Sequence, residues 1–211
     1  MSEILDALNW RYAVKKFNAD KKVSKEDIET ILSAVRLAPS SYGIQPLKIL
    51  VVENPELRNE LRSFAYDQSQ ISDASCLLVL CAYNEITESI IEGMIQFTAA
   101  ANGQDISELS EFQKHLMTAI LPMEKMEMKK WNDHQVYISL GHLLQTCAHL
   151  RIDSIPMEGF KSEEFDRILG LTEKNLHSVV LCPIGYRSEE DARQHSNKAR
   201  RSLEDLVEFI S

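Results

Sequence analysis

Basic residues gather near the two ends of a chain that is otherwise acidic. Arg11-Tyr12-Ala13-Val14-Lys15-Lys16-Phe17 lies near the start, and Asn197-Lys198-Ala199-Arg200-Arg201 lies near the end. Both stretches sit just off regular elements. If folding brings them together, they make an anion site held by side chains, and arginine suits a phosphate because its planar fork binds two oxygens at once. Taken singly, each reads more simply as a solvated surface patch. A third segment, Ala38-Pro39-Ser40-Ser41-Tyr42-Gly43-Ile44-Gln45-Pro46, joins a helix to a strand and offers two adjacent hydroxyls and an amide. It is either a polar loop at a buried entrance or a plain helix-terminating loop. A fourth, Ile155-Pro156-Met157-Glu158-Gly159-Phe160, sets a tight turn at the end of a buried strand, where backbone N–H groups can face a planar ligand.

Other chemistries lack their residues. With seven glycines in 211 residues, the chain contains neither GxGxxG nor GxxxxGK[ST], so a dinucleotide fingerprint and a P-loop are both missing. There is no HExxH, and the six histidines show no ligand spacing; His142 and His149, two turns apart on an apolar helix, read as structural or surface residues. No GxSxG elbow supports serine hydrolysis. Cys76, Cys81, Cys147 and Cys182 sit in apolar settings without CxxC spacing, which predicts four buried thiols and no metal site. A net charge of −9 argues against nucleic acid, which needs a clustered positive surface. No apolar run approaches the roughly 18 to 20 residues that span a bilayer. The first ten residues carry acids and no basic n-region, so no signal peptide is expected and the cytoplasm is the expected location.

The elements that must position these segments follow from periodicity. Residues 3–9 read as a short helix. Ser24 caps a second helix, with Asp27 three residues on and Ile28, Ile31, Leu32 and Val35 on its apolar face; Pro39 closes it. Residues 47–53 read as a strand and 56–64 as a helix. The unbroken apolar run 76–83 predicts a strand buried on both faces. Helices are expected over 86–101, 108–121, 133–150 and 163–169, and a strand over 177–186. The helix 133–150 is apolar nearly all round, as in a core or a large subunit interface. Gly141 within it costs about 1 kcal/mol relative to alanine, which close helix packing would explain. No repeat or linker divides residues 1–211, so one α+β domain is expected, a sandwich-like arrangement of helices and a few strands.

In this order the segments resemble the nitroreductase family of FMN enzymes. The family's Arg-x-Ser-x-Lys-x-Phe element is similar to Arg11–Phe17, and its Pro-Ser-x-x-x-x-Gln-Pro loop matches Pro39–Pro46. Its Asp-Ala-Ser matches Asp73-Ala74-Ser75, and its Trp with Gln-Val-Tyr matches Trp131 and Gln135-Val136-Tyr137. Its Pro-x-Glu-Gly-Phe is Pro156–Phe160, and its Lys-x-Arg is Lys198-Ala199-Arg200. The resemblance implies a central, mostly antiparallel sheet flanked by helices in an intertwined homodimer. It also implies a ping-pong cycle in which NADH or NADPH reduces bound FMN, which then reduces a nitroaromatic, quinone or similar small electron acceptor.

The resemblance assigns roles residue by residue. Arg11, Arg200 and Lys198 would hold the FMN phosphate, with Tyr12 and Ala13 beside them. Lys15 would sit near flavin N1 and O2 and offset the charge of reduced flavin. Ser40 and Ser41 would contact the phosphate or the flavin from the partner subunit, and Pro39 and Gln45 of the same loop would also bind the cofactor. Gln135 would hold the ribityl chain or ring edge. Pro156, Met157, Glu158 and Gly159 would cover N5 and O4, with Glu158 close to the nicotinamide; Lys15 and Glu158 are therefore the expected catalytic residues. Two departures stand out. Ala13 replaces the family's serine, and Asp67, paired with Gln70 at the pyrimidine edge, puts negative charge near a flavin that becomes anionic. The same scaffold also serves pteridine reduction, dehalogenation and flavin destruction. A flavin-binding regulatory protein with little turnover is the alternative of a different class.

Overall fold

The computed structural model describes residues 2–210. Its centre is β2 (Cys76–Tyr83), paired antiparallel on one side with β1 (Leu47–Val52) and on the other with β4 (Leu176–Gly185), which in turn pairs with the two-residue β3 (Asp153–Ser154). The order β1-β2-β4-β3 leaves β1 at one edge and the short β3 at the other. β2 is buried on both faces, as its unbroken apolar run requires. Leu77, Val79 and Cys81 belong to one core, and Cys76, Leu78, Leu80 and Ala82 to another. Alternation along the strand thus divides the interior into two halves.

The first half is closed by α3 (Pro55–Ser63), the single turn α4 (Gln70–Asp73) and α8 (Ser162–Ile168), which contribute Leu61, Ile71 and Phe165. The second is closed by α2 (Lys25–Arg36) and the long α7 (Lys125–His149), through Ile31, Val35, Val136, Leu140, Leu143 and Cys147. Burying each such Leu, Ile or Phe contributes about 1.5–3 kcal/mol. A third cluster joins α5 (Glu88–Asn102) and α6 (Ser110–Ile120) to the start of α7 through Ile91, Ile95, Leu116, Ile120 and Met128. This is the α+β, antiparallel-sheet architecture expected, and the four cysteines are free and buried. Among the described residues no helix is long and apolar enough to cross a membrane, and no group of three or more His, Cys, Asp or Glu could hold a metal ion.

Local rules explain most boundaries. Ser24 caps α2 by accepting the Asp27 N–H at 3.0 Å while donating to the Asp27 carboxylate at 2.7 Å. Pro55 opens α3 behind the Asn54 cap. Two expectations need correction. α7 begins eight residues before 133, because the polar stretch Lys125–Asn132 continues the helix with Met128 and Asn132 facing inward. A Cβ on Gly141 would meet nothing within 4 Å, so no close packing within the chain requires that glycine.

Candidate functional site

The two basic stretches converge. α1 (Glu3–Trp10) ends where Arg11 turns extended, and the chain then runs along the β3 edge. Ala13 bridges Ser154 in parallel, and Phe17 bridges Arg187. The segment after β4 returns alongside through a short turn at Ala192–His195, bringing Lys198 and Arg200 to Arg11. A cleft of about 850 Å³ lies between them, lined by residues 9–13, Lys15, Arg193, Gln194 and 196–200. The C-terminal strand of residues is held there by the Lys198 ammonium, which donates to the carbonyls of Leu8, Asn9 and Arg11 at the end of α1. A cation is favourable at that helix terminus. All three donors of the ammonium are engaged in this way. Lys198 therefore contributes charge and attachment, rather than a donor free for a ligand.

The electrostatics of the cleft are one-sided. Burial, and then the charge of Arg200, lowers the pKa of Arg11. Lys198 is lowered by burial, Arg11 and Arg200 in turn. No carboxylate among the described residues forms an ion pair with any of the three. The Nε of Arg11 is buried and has no hydrogen-bond partner. A buried donor left unpaired costs about 1–3 kcal/mol, more when charged, and the simplest arrangement that removes the cost is an anion accepting from it. Lys15 lines the same cleft, exposed and with no side-chain bond among the described residues.

Behind the cleft, Arg187 lies 4.3 Å from the Trp10 ring centroid and 4.5 Å from that of Tyr12. It also forms a forked pair with the buried Asp153, whose Oδ1 is 2.6 Å from Nη2 and 3.0 Å from Nε. This cation–π stack fixes the floor of the cleft. Tyr12 donates its hydroxyl to Asp191 at 3.1 Å, and its pKa is raised, chiefly by burial.

The 156–160 turn leaves β3 at the same edge. The Met157 N–H is bonded to the Leu181 carbonyl at 2.8 Å, so it is not available to a ligand. The amides of Glu158 and Gly159 have no partner in the described chain. Glu158 accepts the Tyr137 hydroxyl at 2.5 Å, and the Tyr137 pKa is raised to about 12 by burial and then by that bond. Gln68, which the sequence did not single out, ties the 66–70 segment to this turn through the Gly159 carbonyl at 2.9 Å. Gln70 is buried there, whereas Asp67 is exposed and pairs with Arg62 at 3.3 Å, which offsets its charge.

The 39–46 loop is elsewhere. It sits over α7, with the Ser41 N–H donating to Gln135 Oε1 at 2.8 Å and the Gln45 N–H to Ser40 Oγ at 2.9 Å. Gln135 is anchored in turn on the Trp131 carbonyl at 3.0 Å. Ser40 and Gln45 line a separate hollow of about 290 Å³ with Leu32, Val35, Leu47 and Ile49, and neither they nor Pro39 and Ser41 line the basic cleft of their own chain. Among the described residues, four of the six non-glycine residues with left-handed backbone lie in the 39–46 and 66–70 segments, Tyr42 (φ 56°), Gln45 (φ 48°), Tyr66 (φ 52°) and Asp67 (φ 57°); the other two are Arg151 and Asn175. Such conformations persist where surrounding bonds over-determine them, commonly at ligand sites.

The family model described as the nitroreductase family matches residues 8–186. YfkO of Bacillus subtilis, named as a candidate NAD(P)H nitroreductase, is 34% identical over 225 residues, covering 99% of this chain and 98% of its own. The crystal structure of ydfN from Bacillus subtilis, a candidate nitroreductase, superposes with a TM-score of 0.88 at 20% identity over 100% of both chains. That of a candidate nitroreductase from Exiguobacterium sibiricum in complex with FMN gives a TM-score of 0.84 at 18% identity, over 100% of this chain and 98% of that one.

Proposed function

The chain belongs to the nitroreductase family, and from that premise we propose that it is an FMN-dependent oxidoreductase working with NADH or NADPH. The observation that carries the reading is the Arg11 guanidinium: among the described residues its buried Nε lacks a partner, and no carboxylate pairs with it in a cleft where Arg200 and Lys198 add charge. That donor set fits a phosphate. The relative in complex with FMN supports FMN as the molecule that brings it.

When bound, FMN supplies the hydride chemistry between the nicotinamide and a nitroaromatic, quinone or similar electron-poor acceptor. The chain supplies binding and fixed charge. Arg11 and Arg200 hold the phosphate, Lys198 adds its potential from the end of α1, and Tyr12 and Ala13 wall the cleft. The unpaired Lys15 ammonium offsets negative charge on the ring's pyrimidine edge, a fixed electrostatic contribution of the oxyanion-hole kind. The free amides of Glu158 and Gly159 donate to the opposite edge, with Pro156 and Met157 shaping the turn beneath them. Tyr137 would fix the Glu158 carboxylate, expected to lie close to the nicotinamide, through its hydroxyl bond. Gln70 and Asp67 lie beyond that turn, linked to it by Gln68.

A second copy of the chain completes the site. Tyr137 and Ile138 are exposed apolar positions on α7, next to a glycine that nothing in its own chain crowds. Packing this face against its counterpart gives a homodimer. Pro39, Ser40, Ser41 and Gln45, which do not line the cleft of their own chain, would then serve the partner's, with Gln135 bracing the loop. The test is an absorbance spectrum of the purified protein, followed by anaerobic NADH and then NADPH. Flavin bands that bleach with a donor and return with a nitroaromatic or quinone are expected. Bound flavin that resists both donors would defeat the reductase reading.

A further inference from the structure

Asp191 is 2% exposed beneath the cleft, and its carboxylate is saturated with donors. Oδ2 accepts the backbone N–H of Lys15 at 2.7 Å, that of Lys16 at 3.2 Å and the Tyr12 hydroxyl at 3.1 Å. Oδ1 accepts the Arg193 N–H at 2.9 Å. Burial opposes its charge, but the bonds from Lys15, Arg193, Lys16 and Tyr12 outweigh burial and lower its pKa. No guanidinium or ammonium pairs with it among the described residues. This carboxylate therefore leaves the cations of the cleft unneutralised. Two of its four bonds go to the Lys15 and Lys16 amides, the backbone that carries one of them.

The Lys15 backbone is constrained from both sides. Val14 is fully buried, Ala13 bridges Ser154, and Phe17 bridges Arg187. Between those fixed points the Lys15 and Lys16 amides converge on a single carboxylate oxygen. Of the two lysines, Lys16 pairs with Glu190, whereas Lys15, whose side chain has no bond among the described residues, lines the cleft. The same carboxylate starts the short turn at Ala192–His195 that leads to Lys198 and Arg200.

We propose that Asp191 is the positioning residue of this site, aiming Lys15 at the flavin's pyrimidine edge and so setting how strongly the protein stabilises negative charge there. The proposal rests on the FMN reading above. It is tested by a double-substitution cycle with Lys15→Met and Asp191→Asn, read as the affinity of sulfite for the FMN-loaded protein. The sulfite sulfur donates its lone pair to flavin N5, and a ring electron pair moves to the N1–C2 carbonyl edge, so the adduct reports positive charge at that edge. Lys15→Met should weaken sulfite binding on the order of 100-fold, as for removal of one fixed oxyanion stabiliser. Asp191→Asn should weaken it about tenfold. The double variant should be no weaker than Lys15→Met alone, because the second change has nothing left to misplace. If Asp191→Asn does not fold, Tyr12→Phe removes one donor to the same oxygen and carries the same cycle at smaller amplitude.

Wild-type sulfite affinity in Asp191→Asn would overturn the proposal, and so would losses that multiply in the double variant. Wild-type affinity in Lys15→Met would overturn it by removing the group that Asp191 is said to aim. A wild-type protein that takes up no FMN would instead defeat the reading of the cleft, before Asp191 is altered.

Discussion

Replacing Arg11 by methionine keeps the aliphatic stem and deletes the guanidinium. In the ligand-free chain that guanidinium is a liability: burial lowers its pKa, Arg200 lowers it further, and its Nε is unpaired. A folded-state pKa below the ordinary value means that the fold disfavours the charged form. The substitution should therefore leave the apo-protein no less stable than wild type, with a gain of up to about 1–3 kcal/mol from removing the unpaired donor. With FMN the sign reverses. A hydrogen bond to a charged group contributes about 1.5–3 kcal/mol, so one lost guanidinium–phosphate contact should weaken FMN binding about 10- to 150-fold. Riboflavin, which lacks the phosphate, should bind wild type and variant alike. The assay is a titration of both flavins into apo-protein, followed by quenching of flavin fluorescence, at low and high salt. Raising the salt should weaken FMN binding in wild type and much less in the variant. Equal losses for FMN and riboflavin, or a large fall in the apo melting temperature, would refute the assignment of Arg11 to a phosphate.

Three further outcomes are expected. Asp153→Ala leaves Arg187 without its carboxylate between Trp10 and Tyr12 and should cost about 3–5 kcal/mol in urea unfolding. Gly185→Ala places a Cβ 3.0 Å from both the Phe17 ring and the Ser75 backbone nitrogen and should cost about 1–3 kcal/mol. Because the folded pKa of Asp191 lies below the unfolded value of about 3.9, its contribution is complete above that value and is lost as pH falls through the folded pKa. The stability gap between wild type and Asp191→Asn should thus be constant from about pH 7 to about pH 5 and close below about pH 4.

Patterns that depend on near neighbours were legible in the chain itself. The apolar run 76–83 could only be a strand covered on both faces, and the Ser24 cap and Pro39 bounded α2. Convergence of Arg11 with Lys198 and Arg200 was legible only as a condition, since the residues are separated by nearly the whole chain and nothing local draws them together. Asp191 was invisible for the same reason. In sequence it is one of three consecutive acids before a polar tail, and its four donors come from residues 12–16 and from Arg193. Lys198 was assigned to a phosphate by motif, but its ammonium instead completes the end of α1, a role that needs the helix's orphan carbonyls to be seen. The Met157 amide lies in the turn whose backbone N–H groups were expected to face a planar ligand, but its bond to the Leu181 carbonyl engages it. The first two turns of α7 were missed because Lys125, Glu127, Lys129 and Lys130 interrupt the apolar pattern there.

The most direct test of the central claim is a crystal structure of the protein grown with FMN. The account predicts a phosphate oxygen within hydrogen-bonding distance of Arg11 Nε, with Arg200 beside it and Lys198 still on the end of α1. A flavin whose phosphate lies elsewhere, with Arg11 Nε still unpaired, would contradict it.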